Sequence, residues 1–152
     1  MQNLFDLQRW TRSDYYRLFQ LAEDLSREPQ PLGGMAAMVF AEPSTRTLVS
    51  FQMAAVRMGM TTTTLDALGS SLSKGESMDD TLRTLQAIGV QAAVIRSSSD
   101  WPAQLETAFP KMALINAGSG VFDHPTQALL DGLTMYQEFS HLSGCRVVIA
   151  GD

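Results

Sequence analysis

The 152-residue chain is 45% hydrophobic and 18% charged, the balance of a globular protein with a real core and not of a disordered one. Its net charge of −5 argues against nucleic acid or an anionic membrane as the main partner. A single cysteine, Cys145, excludes an intrachain disulfide, and His124 and His141 are too few and too far apart for a zinc cluster.

The opening "MQNLFDLQRW" lacks a basic region followed by a long apolar stretch, and no run approaches the length of a membrane span. A soluble, cytoplasmic protein is the expectation. "SDYYRLFQLAEDLS" (13–26) puts Tyr15, Leu18, Phe19, Ala22 and Leu25 on one helical face, with Ser13 as the cap. "EPQPLGG" (28–34) reads as a loop, and "MAAMVF" (35–40) as a buried parallel strand. A helix should run from about Thr45 to Met58, with Gly59 near its end.

"TTTTLD" (61–66) is β-branched and reads as the second strand. The Gly/Ser-rich loop "ALGSSLSKGES" (67–77) follows, then a helix over "MDDTLRTLQAIG" with acids in its first turn and Gly89 at its end. "QAAVIR" (91–96) is the third strand, "DWPAQLETAF" a short helix with Pro102 near its start, and "MALINA" (112–117) the fourth strand. After "GSGVFD", the segment "HPTQALLDGLTMYQEF" is a strong helix with Pro125 in its first turn, and "CRVVIAGD" reads as a fifth strand.

Strand and helix alternate, which predicts an α/β fold: an open parallel sheet with helices on both faces. A buried strand is an unusual place for a chain to stop. The expected organisation is therefore one domain over 1–145, with 146–152 as the first strand of a second domain that is missing; the alternative is an edge strand that ends there.

In open α/β sheets, ligands bind beyond the carboxyl ends of the strands. Ser44, Thr45, Arg46 and Thr47 follow the first strand. If Ser44 is the N-cap, the next three residues form the first helical turn, whose N–H groups lack partners inside the helix. Such an end binds phosphate readily, and an arginine fork can grip two oxygens. The alternative is a well-capped helix with a solvated arginine. Ser70, Ser71 and Lys74 follow the second strand, in a loop that lacks Walker A spacing. That loop is either a solvated segment or a mobile arm bringing a cation to an anionic ligand. Arg96 and Ser97 to Ser99 follow the third strand, and Asn116, Gly118, Gly120, His124 and Gln127 follow the fourth. His124 and Gln127 share a helix face and could hold a small carbonyl or amide group; the alternative is a capping histidine beside a surface glutamine.

The combination is more specific than any part. "FAEPSTRTLVSF", "SSLSKGES", "VIR" and "INAGSGVFDHPTQALLD", in this order and at these spacings, resemble the aspartate/ornithine carbamoyltransferases. Ser-Thr-Arg-Thr together with His-Pro-Thr-Gln is similar to the aspartate branch of that family, and the match covers only the N-terminal, carbamoyl phosphate-binding half. The resemblance implies transfer of a carbamoyl group from carbamoyl phosphate to the amine of L-aspartate, in pyrimidine biosynthesis, without metal or organic cofactor. It implies that Ser44, Thr45, Arg46 and Thr47 hold the phosphate, with Thr47 also near the carbonyl oxygen. Arg96 and His124 would face that oxygen, and Gln127 the carbamoyl NH₂. Lys74 and either Ser70 or Ser71 would reach a neighbouring subunit's site in a homotrimer, with a regulatory or dihydroorotase partner as a further implication. The chain alone is expected to be inactive. A non-catalytic, phosphate-binding homologue with a structural role is the competing reading, and the presence of the whole residue set favours the enzyme. Two positions depart from the family's usual pattern: Ser97-Ser98 stands where His-Pro is common, and Gln52 where Glu is common. The second change removes a carboxylate that could organise nearby arginines such as Arg57.

Overall fold

Four apolar or β-branched runs form four strands: β1 (Met35–Phe40), β2 (Thr61–Asp66), β3 (Ala92–Ser97) and β4 (Ala113–Ser119). The computed structural model describes residues 3–66, 77–98, 105 and 108–150. All strand pairs are parallel, in the order β2-β1-β3-β4. The helices are α1 (Arg12–Arg27), α2 (Thr45–Arg57), α3 (Met78–Ala87) and α4 (Pro125–Phe139). The α/β fold read from the sequence is the fold observed.

Alternation along the strands divides the core in two. Ala37, Val39, Ile95 and Leu114 face Leu82 and Leu85 of α3 on one side of the sheet, joined by Phe5, Phe109 and Met112. Ala36, Met38, Phe40, Val94 and Ala117 face Leu48, Phe51 and Ala55 of α2 on the other. Strands β1 and β3 are covered on both faces, which is why their sequences are continuous apolar runs. Phe19 of α1 is 1% exposed. It lies 5.7 Å from the ring of Tyr136 and so fastens α1 to α4.

Two details differ from the sequence reading. Thr11, not Ser13, caps α1: the Asp14 carboxylate accepts from the Thr11 N–H at 2.8 Å and from its hydroxyl at 2.7 Å. Both bonds favour the ionised carboxyl and hold it below its ordinary range. Second, 145–150 form no strand, and Val148 and Ile149 are 91% and 93% exposed. A strand needs a neighbour for its backbone groups. The outer edge of β4 is taken instead by the N-terminal segment, where the Leu4 N–H donates to the Leu114 carbonyl at 2.9 Å and the Asn116 N–H to the Leu4 carbonyl at 2.8 Å. The loop bearing Ser70, Ser71 and Lys74, and most of the short helix expected over "DWPAQLETAF", lie outside the described residues. Among the described residues, no helix is long and apolar enough to cross a membrane.

Candidate active site

The site lies where the carboxyl ends of β1, β3 and β4 meet the starts of α2 and α4. Strand β1 ends at Phe40, and two residues later Glu42-Pro43 leads into α2. Proline at that point suits an extended approach to a helix and removes one donor. Ser44 occupies the N-cap position of α2, but its hydroxyl makes no bond to the helix backbone. It donates instead to Thr47 Oγ1 at 2.9 Å. The expected serine cap is therefore present in position and absent in bonding. The consequence is chemical: the first-turn N–H groups of Thr45, Arg46 and Thr47 are not consumed by the Ser44 side chain, and the helix dipole adds positive character there. Arg46 is exposed and stands beside them.

Arg96 closes the opposite wall. It sits at the end of β3, where its carbonyl accepts from the Ala41 N–H at 2.8 Å. Its Nη1 donates to the Ala117 carbonyl at 3.1 Å and lies 3.3 Å from His124 Nε2. A guanidinium only donates, so Nε2 accepts and the imidazole proton resides on Nδ1, which is 3.4 Å from Thr126 Oγ1. Burial, and then the charge of Arg96, hold the His124 pKa below its ordinary value. Arg96 Nε is buried without a hydrogen-bond partner among the described residues. The Glu42 carboxylate is 3.9 Å from it, too long for a hydrogen bond but close enough to attract.

His124 takes the N-cap position of α4 without a side-chain cap bond, and Pro125 follows it. Its ring is thus free to face Arg96. Gln127, one turn on, donates through Nε2 to Asp131 Oδ1 at 3.0 Å. That bond orients the amide and leaves its oxygen as an acceptor.

A cleft of about 540 Å³ joins these groups. Ser44, Arg46, Thr47, Arg96, His124 and Gln127 all line it. Thr45 belongs to the same helix start, but its side chain is exposed and is not among the lining groups. Ser70, Ser71 and Lys74 fall outside the described residues. The cleft also takes Ser50, Phe51 and Ala54 from α2, and Thr126 and Leu130 from α4. Ser50 and Ala54 continue the face of Arg46 at four-residue steps, and Leu130 follows Gln127 by three, so helical periodicity carried their signal. Among the described residues, no three His, Cys, Asp or Glu side chains converge as metal ligands.

Residues 2–137 match the family model for the carbamoyl-P binding domain of aspartate/ornithine carbamoyltransferase. The chain belongs to the aspartate/ornithine carbamoyltransferase family. It is 42% identical to the aspartate carbamoyltransferase catalytic subunit of Oceanobacillus iheyensis, over all of this chain and 50% of that protein. It is 43% identical to the Thermus aquaticus subunit, over all of this chain and 53% of the relative. The chain thus spans about half the length of the curated relatives it matches. Among solved structures, Trypanosoma cruzi aspartate transcarbamoylase in complex with carbamoyl aspartate and phosphate superposes with a TM-score of 0.83 at 31% identity, covering 94% of this chain and 48% of the other. An anabolic ornithine carbamoyltransferase from Campylobacter jejuni superposes with a TM-score of 0.81 at 29% identity, covering 95% of this chain and 48% of that one.

The two departures from the usual carbamoyltransferase pattern now have surroundings. Gln52 donates to Thr64 Oγ1 at 3.0 Å, tying α2 to β2. Ser97 is buried at the end of β3, and its carbonyl accepts from the Gly120 N–H at 2.7 Å. Gln52, Ser97 and Ser98 are not among the residues that line the cleft.

Proposed function

We propose that this chain supplies the carbamoyl phosphate half of an aspartate carbamoyltransferase site. One observation carries the reading: the N-terminus of α2, with Ser44, Arg46 and Thr47, opens onto the same cleft as Arg96, His124 and Gln127. The first group suits a phosphate, the second a polarised carbonyl and its amide. Phosphate oxygens accept from the free N–H groups of the first turn and from Arg46. The carbonyl oxygen faces Arg96 and Thr47, and the Gln127 oxygen accepts from the carbamoyl NH₂.

The neutral amine of L-aspartate attacks the carbonyl carbon, forming the C–N bond. Negative charge gathers on the carbonyl oxygen, where Arg96 and Thr47 donate to it. His124 adds a donor in its Nε2–H tautomer, once the guanidinium turns from Nε2 to the substrate. Loss of one such donor typically raises the barrier by about 2.7–4 kcal/mol. The C–O bond to phosphate then breaks with its electron pair, the extra proton on nitrogen passes to an oxygen of the departing phosphate, the carbonyl re-forms, and N-carbamoyl-L-aspartate and hydrogen phosphate remain. Arg46 and the helix N-terminus stabilise the departing phosphate. Holding both substrates in the attacking geometry supplies much of the remaining acceleration.

The supporting comparisons are with proteins about twice as long. In this reading 1–145 are the carbamoyl phosphate domain and 146–152 lead into an aspartate-binding domain; the exposed, unpaired run Val147 to Ile149 supports that division. The working unit is a cytoplasmic homotrimer in which Lys74 reaches a neighbouring copy's site. The test is direct. The 152-residue chain should bind phosphonoacetamide, a stable phosphonate that keeps the carbonyl and amide, with inorganic phosphate as competitor, and should form no carbamoyl aspartate alone. Near-normal turnover by the chain alone, or no binding at millimolar ligand, would overturn it.

A further inference from the structure

Strand β4 carries one residue more than β3 at the site. Ile95 pairs with Asn116 and Ser97 with Ser119, so Ala117 and Gly118 together stand opposite Arg96. This is a β-bulge, a device that re-aims a neighbouring side chain and leaves backbone groups out of step with the ladder. Two side chains meet those groups. Asn116 Oδ1 accepts from the Gly118 N–H at 2.9 Å, and Arg96 Nη1 donates to the Ala117 carbonyl at 3.1 Å. Asn116 is fully buried, and its Nδ2 donates to the Phe5 carbonyl at 2.9 Å. Both ends of its amide are therefore fixed.

Gly118 completes the device. Its φ of +120° lies where side chains rarely go, and a Cβ there would stand 2.6 Å from Arg96 Nη1 and 3.2 Å from His124 Cδ2. The guanidinium rests on backbone that only glycine leaves open.

We propose that Asn116 is a positioning residue for Arg96: its buried amide holds the β4 bulge whose Ala117 carbonyl anchors the guanidinium over Gly118 and beside His124. Asn116 touches no substrate in this arrangement. Its hydrogen bonds set the direction of the side chain that does. The role rests on Arg96 acting at the carbonyl end of the ligand, as in the proposed function.

The test compares two ligands on the 152-residue chain by calorimetry. Inorganic phosphate probes the α2 end alone. Phosphonoacetamide probes both ends. Loss of global stability lowers both affinities together, whereas loss of Arg96 aim lowers only the second. Asn116→Ala should weaken phosphonoacetamide roughly tenfold, with phosphate changed less than about twofold. Asn116→Asp keeps an acceptor for the Gly118 N–H and should retain the wild-type ratio of affinities even if its melting temperature falls. Gly118→Ala, which displaces the guanidinium from the other side, should reproduce the selective loss, and it carries the test if Asn116→Ala does not fold. An unchanged ratio in Asn116→Ala, or in Gly118→Ala where that variant carries the test, overturns the positioning role, as does an equal loss in Asn116→Asp. Arg96→Ala separates the two levels: if it leaves phosphonoacetamide affinity intact, the reading of Arg96 itself fails; if it weakens binding while the Asn116 and Gly118 variants do not, only the positioning role fails.

Discussion

Arg96 Nη1 stands 3.3 Å from His124 Nε2. The arginine donates, the imidazole accepts, and a second proton on His124 would meet a positive charge. Burial and Arg96 together lower the His124 pKa from its ordinary 6.5. The unfolded chain therefore takes the proton first as pH falls. This contribution to stability is fully present above pH 6.5 and declines as pH falls toward the lowered folded-state value. In a His141→Gln background, the imidazole NMR titration of His124 should have its midpoint below 6.5, and Arg96→Ala should raise it. A midpoint at or above 6.5 contradicts the pairing.

Arg46→Ala should separate binding from folding. The side chain is exposed, and no ion pair or side-chain hydrogen bond holds it among the described residues. Stability should change by less than about 0.5 kcal/mol, as for ordinary surface positions. Phosphate affinity should fall by about 1.5–3 kcal/mol, the usual worth of a hydrogen bond to a charged group. Calorimetry and thermal melting of the same samples measure both. An unchanged affinity removes Arg46 from the proposed phosphate site.

Gly132→Ala tests the packing of α1 on α4. The new methyl would stand 3.1 Å from Phe19 Cζ, and Phe19 is 1% exposed beneath Tyr16 and Tyr136. Alanine gains about 0.8–1.0 kcal/mol in helix propensity. Overpacking a fixed ring costs about 1–3 kcal/mol. The sum is a net loss of about 1 kcal/mol, readable as a lower urea midpoint with an unchanged slope. A stabilised variant would show that Phe19 has room to move.

The sheet was legible in the sequence because its central strands are buried on both faces. "MAAMVF" could be nothing but apolar once α2 and α3 cover opposite sides of β1. The same rule reads "CRVVIAGD" as a strand, but over 145–150 that run pairs with no neighbour among the described residues. Leu4 takes the free edge of β4 through a single bridge, which leaves no periodic trace. At the site, residue types announced themselves as donors: Arg46, Arg96, His124 and Gln127 all line the cleft. What the sequence hid depends on geometry between elements. The Ser44 hydroxyl turns to Thr47 and not to the backbone, and the β4 bulge arises from the register of two strands 20 or so residues apart. Neither leaves a local signature.

The central claim is that one cleft holds a phosphate at the start of α2 and a carbamoyl group against Arg96, His124 and Gln127. Amide and side-chain chemical-shift mapping of the 152-residue chain during a phosphonoacetamide titration tests it most directly. The account predicts the largest shifts at the N–H groups of Thr45, Arg46 and Thr47, with matching changes at the Arg96 guanidinium, the His124 ring and the Gln127 amide. Saturable binding that leaves the α2 amides unmoved, or that perturbs them without touching Arg96 and His124, would contradict it.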